Sequence, residues 1–212
     1  MINIDNDGFR LSVEAGYKEY AAGGKLPDIA PQFVYGDGRG SERVMLIGEA
    51  PGKDEVRLGR PFVGAAGRIL DELLAGTGIA RDTLYITNTV KYRLARAGKK
   101  PGTLANRPVK SFEIVLCREW LRKEIETLSP ALILTLGGTA LAGALGCAEQ
   151  SELSPDSTVG GVHGRPAALT VCGKPYVLIP LYHPASLIYN PELRTAYYSD
   201  LKEVKRCVQS IL

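Results

Sequence analysis

Four short segments of this chain carry side chains equipped for chemistry. Glu49 stands in Gly48-Glu-Ala-Pro-Gly52, where two glycines and a proline make a tight turn with exposed backbone N–H groups and a carboxylate that would face a ligand cleft. The same turn could equally be a plain connector with Glu49 in solvent. Phe62 lies between glycines in Gly59-Arg-Pro-Phe-Val-Gly-Ala-Ala-Gly67, where a ring serves either as a stacking platform or as core beneath the loop. Asn88, in Ile86-Thr-Asn-Thr-Val-Lys91, holds a donor and an acceptor side by side. That pair can read the edge of a nucleobase, although asparagine at a strand end is also a common turn residue. His183, one of only two histidines, stands in Leu181-Tyr-His-Pro-Ala-Ser-Leu-Ile-Tyr-Asn190, with Pro184 stiffening the turn. Leu187, Ile188 and Tyr189 are large apolar residues on what should be an exposed loop, suited to wedging into a duplex or to packing back on the last helix.

Charge adds a fifth feature. The chain holds 26 basic and 23 acidic residues, a net +3 that separates no function class from another. Seven of the basic residues fall between Lys91 and Lys110 with no acid among them, which leaves the remainder acidic on balance. A local field of that kind attracts a polyanion, and Lys91 and Arg93 begin it three residues after Asn88. A solvated basic loop would look the same on charge alone.

These segments need elements to hold them. With 212 residues, 45% hydrophobic and 23% charged, the chain has the composition of a globular protein with a core of its own, read as one domain over 1–212. Short apolar runs at Arg43 to Gly48, Thr83 to Thr87 and Pro130 to Leu136 read as strands. Helical spacing marks Leu11 to Ala22, Ala65 to Leu74, Val109 to Leu128, Thr139 to Leu145 and Arg194 to Leu212. Ala168 to Cys172 and Tyr176 to Leu181 flank Gly173-Lys174 as a hairpin. The alternation predicts an α/β fold of three layers, α/β/α, around a central, mostly parallel four-stranded sheet. In such sheets ligands sit beyond the carboxyl ends of the strands, which selects Gly48 to Gly52, Asn88 to Arg93, Gly137 to Thr139 and His183 to Asn190. The polar N-terminus, the lack of a ~20-residue apolar run and the absence of any close cysteine pair lead to the expectation of a cytoplasmic, reduced protein with no membrane span.

In order and spacing, the segments resemble the uracil-DNA glycosylase superfamily, most closely the thermophile-type branch known as family 4. The resemblance rests on Gly48-Glu-Ala-Pro-Gly52, Gly59-Arg-Pro-Phe-Val-Gly64 with Ala66-Gly67, Tyr85-Ile-Thr-Asn88 with Val90-Lys91, Leu134-Thr-Leu-Gly137 with Thr139-Ala140, and His183-Pro-Ala-Ser186. It implies a monomeric DNA-repair enzyme that flips uracil out of DNA and hydrolyses its N-glycosidic bond, leaving an abasic site. Glu49 and His183 would be the catalytic pair: the imidazole donating to O2 of the departing base, the carboxylate positioning water and stabilising a cation-like sugar. Gly48, Ala50, Pro51, Gly52, Phe62 and Asn88 would hold the base, Phe62 by stacking and Asn88 by reading its pairing edge. Lys91, Arg93, Gly138, Pro184, Ala185, Ser186, Leu187 and Ile188 would meet DNA, with Leu187 or Ile188 as the wedge. No lysine is expected in the cleft, so no lyase step is expected either.

The chain departs from the family pattern in its cysteines. Family 4 members hold a four-iron, four-sulfur cluster on four cysteines. Here Tyr92 stands at one of those positions, the N-terminal pair is missing and only Cys117 matches, so the sequence leads to the expectation of no cofactor and no metal. Val56 follows Glu55 where the family has an acid, and His-Pro-Ala-Ser replaces His-Pro-Ser. Two other functions compete: a catalytically weak or inactive member that recognises damaged DNA, and an enzyme acting on a free nucleoside or nucleotide through the Gly48 to Gly52 turn.

Overall fold

The computed structural model describes residues 7–23 and 31–211; Gly24 and Pro27 of the Gly/Pro-rich lead-in lie outside them. In chain order the elements are α1 (Asp7–Ala22), β1 (Val44–Gly48), α2 (Lys53–Leu58), α3 (Ala65–Thr77), β2 (Leu84–Asn88), β3 (Ala95–Ala97), β4 (Leu104–Asn106), α4 (Ser111–Leu128), β5 (Leu132–Leu136), α5 (Gly138–Cys147), β6 (Gln150–Ser151), α6 (Val159–Val162), β7 (Ala167–Val171), β8 (Lys174–Leu181), α7 (Ser186–Tyr189) and α8 (Leu193–Ile211).

The sheet has six strands in the order β2-β1-β5-β8-β7-β6, not the four expected. Four of them, β2, β1, β5 and β8, are parallel neighbours, and the antiparallel β7 with the two-residue β6 extends the sheet beyond β8. The difference follows from burial. The parallel strands are covered on both faces, and β1, β2 and β5 are buried at every residue, as continuous apolar runs require. Strand β7 alternates buried and exposed, as an outer strand does. Its turn into β8 sits at Cys172-Gly173, one residue before the expected pair. Both residues have positive φ, the two-residue hairpin geometry that matches strand twist.

Alternation along the strands sorts the layers. Val44, Leu46, Leu84, Ile86, Leu132 and Leu134 face α3 and α8, where Leu70, Leu73, Tyr197 and Leu201 meet them. Met45, Ile47, Tyr85 and Ile133 face α4 and α5, against Leu121, Ile125 and Leu141. A third core joins Val13 and Tyr17 of α1 to Val90, Tyr92, Leu94, Cys117 and Trp120, tying the segment after β2 to α1 and α4. The basic segment is not a plain loop: β3 and β4 pair as an antiparallel hairpin. No helix among the described residues is long and apolar enough to cross a membrane.

Register aligns the carboxyl ends. Gly48 pairs with Asn88, and Leu136 with Leu181, so the loops that follow β1, β2, β5 and β8 leave one edge of the sheet together.

Candidate active site

The cleft at that edge has a volume of about 350 Å³, and Ala50, Gly52, Phe62, Asn88 and His183 all line it. Gly48 lies against two of these residues, Asn88 and Phe62. A methyl group there would lie 2.5 Å from both the Asn88 side-chain oxygen and the Phe62 ring, so the absent side chain is what lets the ring and the amide approach one strand end. Phe62 reaches this place with φ of +53°, a left-handed conformation unusual for a bulky residue. Gly67 makes room for it, because a methyl there would collide with the Phe62 carbonyl. Backbone strain stored beside a cleft is a common mark of a functional position.

Glu55 holds the two loops at this mouth in place. Its carboxylate accepts N–H bonds from Gly52 at 3.1 Å, Val63 at 3.1 Å and Gly64 at 2.7 Å, joining the Gly48–Gly52 turn to the Phe62 loop. Reading residue types could not single it out, because all three partners are backbone groups. Asn106, at the end of β4, also lines the cleft, and Arg93 Nε donates to its Oδ1 at 3.2 Å. Arg93 therefore stands close to the cleft through Asn106.

The two catalytic candidates stand on different loops, after β1 and after β8. Thr139, in the first turn of α5, donates its hydroxyl to Glu49 Oε2 at 2.7 Å. The Glu49 carbonyl accepts from Val90 N–H at 2.9 Å, and the Gly48 carbonyl from Thr89 N–H at 2.8 Å, so the β1 and β2 loops are bonded to each other. His183 lies 5.9 Å from the Phe62 ring, centroid to centroid. Its Nδ1 accepts the Ala185 N–H at 3.2 Å, which leaves Nε2 to carry the proton of the neutral imidazole. Burial holds the His183 pKa below its usual 6.5, and the nearby Glu49 carboxylate opposes that shift. At neutral pH the ring is uncharged and presents one N–H donor.

Other sequence-predicted contacts are distributed differently. Pro51 is buried and Ala50 packs against the third core. Gly138 is exposed at the start of α5 with open space where a side chain would be. Pro184 is buried, and Ala185 and Ser186 are partly exposed beside His183. Two expected DNA contacts are corrected. Lys91 is 0% exposed and pairs with Glu124 of α4 inside the protein. Leu187 is 5% exposed and belongs to the core under α3 and α8, because the one-turn helix α7 points it inward. Ile188 and Tyr189 are instead 52% and 87% exposed. The cleft also has a lysine on its border, Lys53 at the exposed start of α2, where none was expected.

With this geometry in view, the sequence profile of the Uracil DNA glycosylase superfamily matches residues 35–204. The chain belongs to the uracil-DNA glycosylase superfamily. Among its curated relatives, the type-4 uracil-DNA glycosylase of Archaeoglobus fulgidus is 34% identical over 172 residues, 81% of this chain and 80% of the relative. That of Saccharolobus solfataricus is 33% identical over 187 residues, covering 88% and 81%. The Thermotoga maritima enzyme is 34% identical over 178 residues, covering 83% of each.

Membership corrects one further expectation. The relatives are type-4 enzymes, the iron–sulfur branch of the superfamily, and this kinship contradicts the no-cofactor expectation drawn from counting cysteines. The residues nevertheless do not compose a metal-binding set: among those described, no three His, Cys, Asp or Glu side chains are grouped to hold an ion. Cys117 is buried, and its thiol pKa is pushed up to about 12 by that burial. Tyr92 fills the space beside it, its hydroxyl donating to Glu113 at 3.0 Å, while Arg107 grips the same carboxylate through two bonds of 2.7 Å.

Proposed function

We propose that this chain excises uracil from DNA by hydrolysing the N-glycosidic bond, and that the observation carrying the reading is the convergence of Phe62, Asn88 and His183 on one cleft with Glu49 at its side. A base turned out of the duplex enters the cleft and lies against the Phe62 ring. The Asn88 amide meets its pairing edge. Uracil presents an acceptor and a donor there, whereas cytosine presents an amino group in place of the acceptor and leaves the amide mispaired.

As the glycosidic bond lengthens, negative charge gathers on the base and positive charge on the sugar. The neutral His183 donates from Nε2 to the base oxygen, an interaction that strengthens only as charge develops. Glu49, oriented by Thr139, stabilises the sugar and directs water to it. Outside the cleft, Ile188 and Tyr189 supply apolar surface to fill the place the base vacates. Arg96, Lys99 and Lys100, exposed along the β3–β4 hairpin, meet the phosphates. Lys53 stands at the rim, and the reaction ends at the abasic site, with the enzyme acting as a monomer.

Incubation with a uracil-containing oligonucleotide, followed by alkali, tests the reading: cleavage at the uracil position supports it, and intact DNA in both single- and double-stranded form refutes it. Salt-sensitive binding without product would select the alternative of an inactive damage-recognition protein.

A further inference from the structure

A buried polar network lies directly behind the base-reading residue, on the opposite face of β2. Asn88 faces Phe62, whereas Tyr85 and Thr87, three and one positions before it, face α4. There the Glu124 carboxylate accepts from the Tyr85 hydroxyl at 3.0 Å and from the Thr87 hydroxyl at 3.0 Å, and forms an ion pair with Lys91. Neither charged side chain is exposed at all. Lys91 Nζ makes two more bonds, to Thr87 Oγ1 at 2.9 Å and to the backbone carbonyl of Asn88 at 2.6 Å.

Taking both charges out of water is costly, and well-packed apolar side chains of similar size often serve stability as well or better. What the pair supplies is direction. An ammonium has three donors, and all three of these are committed: one to the carboxylate on α4, one to Thr87 and one to Asn88 itself. The segment from 88 to 91 is thus closed by a side chain that spans it, while Thr89 and Val90 bond back to Gly48 and Glu49. The backbone of Asn88 is fixed from behind and its amide from beside, against Gly48.

Resting on the uracil-excision reading, we propose that the Lys91–Glu124 ion pair is a positioning device for Asn88 and so sets the selectivity of the cleft for uracil over cytosine. Lys91 and Glu124 touch neither base nor sugar; they act through the Asn88 backbone.

A double-mutant cycle tests this on the full chain. Lys91→Met is measured alone and in an Asn88→Ala background. The paired Lys91→Met/Glu124→Leu variant is measured beside it, because it leaves no orphaned charge and keeps the packed volume. We expect the paired variant to melt within a few degrees of the parent, to lose at least about tenfold in kcat/KM on uracil DNA, and to bind free uracil correspondingly less tightly. In the Asn88→Ala background the same changes should cost less than about threefold. Glu124→Gln, which keeps the shape and the acceptor, should recover part of the loss. Equal losses with and without Asn88, or parental kinetics and uracil affinity in the paired variant, would overturn the proposal. Failure of the parent chain to release uracil would instead refute the activity on which it rests.

Discussion

The Thr139 hydroxyl and the Glu49 carboxylate meet at 2.7 Å although the two residues are 90 positions apart in the chain. The contact ties the catalytic candidate that follows β1 to the first turn of α5, so the carboxylate is aimed by a helix as well as by its own loop. A hydrogen bond to a charged group contributes about 1.5–3 kcal/mol, and each ~1.4 kcal/mol is tenfold in rate. Thr139→Ala should therefore lower kcat by roughly tenfold with KM little changed, and Thr139→Ser should restore most of it. Glu49→Ala should cost ~10²-fold or more.

His183 predicts a pH dependence. Its folded-state pKa lies below the ordinary 6.5, so above that value the ring is neutral in both folded and unfolded chains and contributes no slope. Between 6.5 and its lowered folded pKa, the unfolded state takes up the proton first. Stability therefore falls as pH falls through this window. Protonation also turns Nδ1 from acceptor to donor and breaks the Ala185 contact. The acid limb of kcat/KM should accordingly sit below pH 6.5 and vanish from the residual activity of His183→Ala, as rate profiles of both proteins would reveal.

The segment from Leu187 to Tyr189 separates packing from the proposed wedging. Leu187→Ala should cost about 2–5 kcal/mol of stability, the usual loss for a buried leucine, measured by denaturant unfolding. Ile188→Ala and Tyr189→Ala should leave stability unchanged and reduce excision several-fold on duplex DNA while sparing single strands, where no vacated stack needs filling. A uniform effect on both substrates would remove the wedge role.

Much of this was legible in residue order. Strand positions came out close to the observed Val44–Gly48, Leu84–Asn88 and Leu132–Leu136 because buried parallel strands are unbroken apolar runs. The rule that ligands gather at strand carboxyl ends brought the Glu49, Asn88, Thr139 and His183 loops together in advance. What escaped depends on tertiary pairing. Lys91 reads as one more charge in a basic run, and only its partner 33 residues away on α4 makes it a buried residue. Leu187 and Ile188 are adjacent apolar residues whose opposite fates are decided by one turn of helix. The β3–β4 hairpin has too few apolar positions to show a period, and the grip of Glu55 on three backbone N–H groups leaves no trace in residue types.

That hairpin yields a further expectation. Arg96, Lys99 and Lys100 are exposed, unlike Lys91 and the Glu113-bound Arg107. Replacing the three with alanine should weaken binding to any DNA sequence and flatten the dependence of log affinity on log salt by about two to three phosphate contacts' worth. Binding isotherms at several salt concentrations would expose an unchanged slope if the hairpin stays clear of the phosphates.

In the proposed mechanism Glu49 and His183, placed around a base held by Phe62 and Asn88, break the glycosidic bond of uracil. The most direct test of this mechanism is single-turnover release of uracil from a defined oligonucleotide by the parent chain and by Glu49→Ala and His183→Ala. The expected result is uracil and an alkali-labile abasic site from the parent, with rates lowered ~10²-fold or more in each variant while both still bind the DNA. Undiminished release by both variants, or no release by the parent, would contradict it.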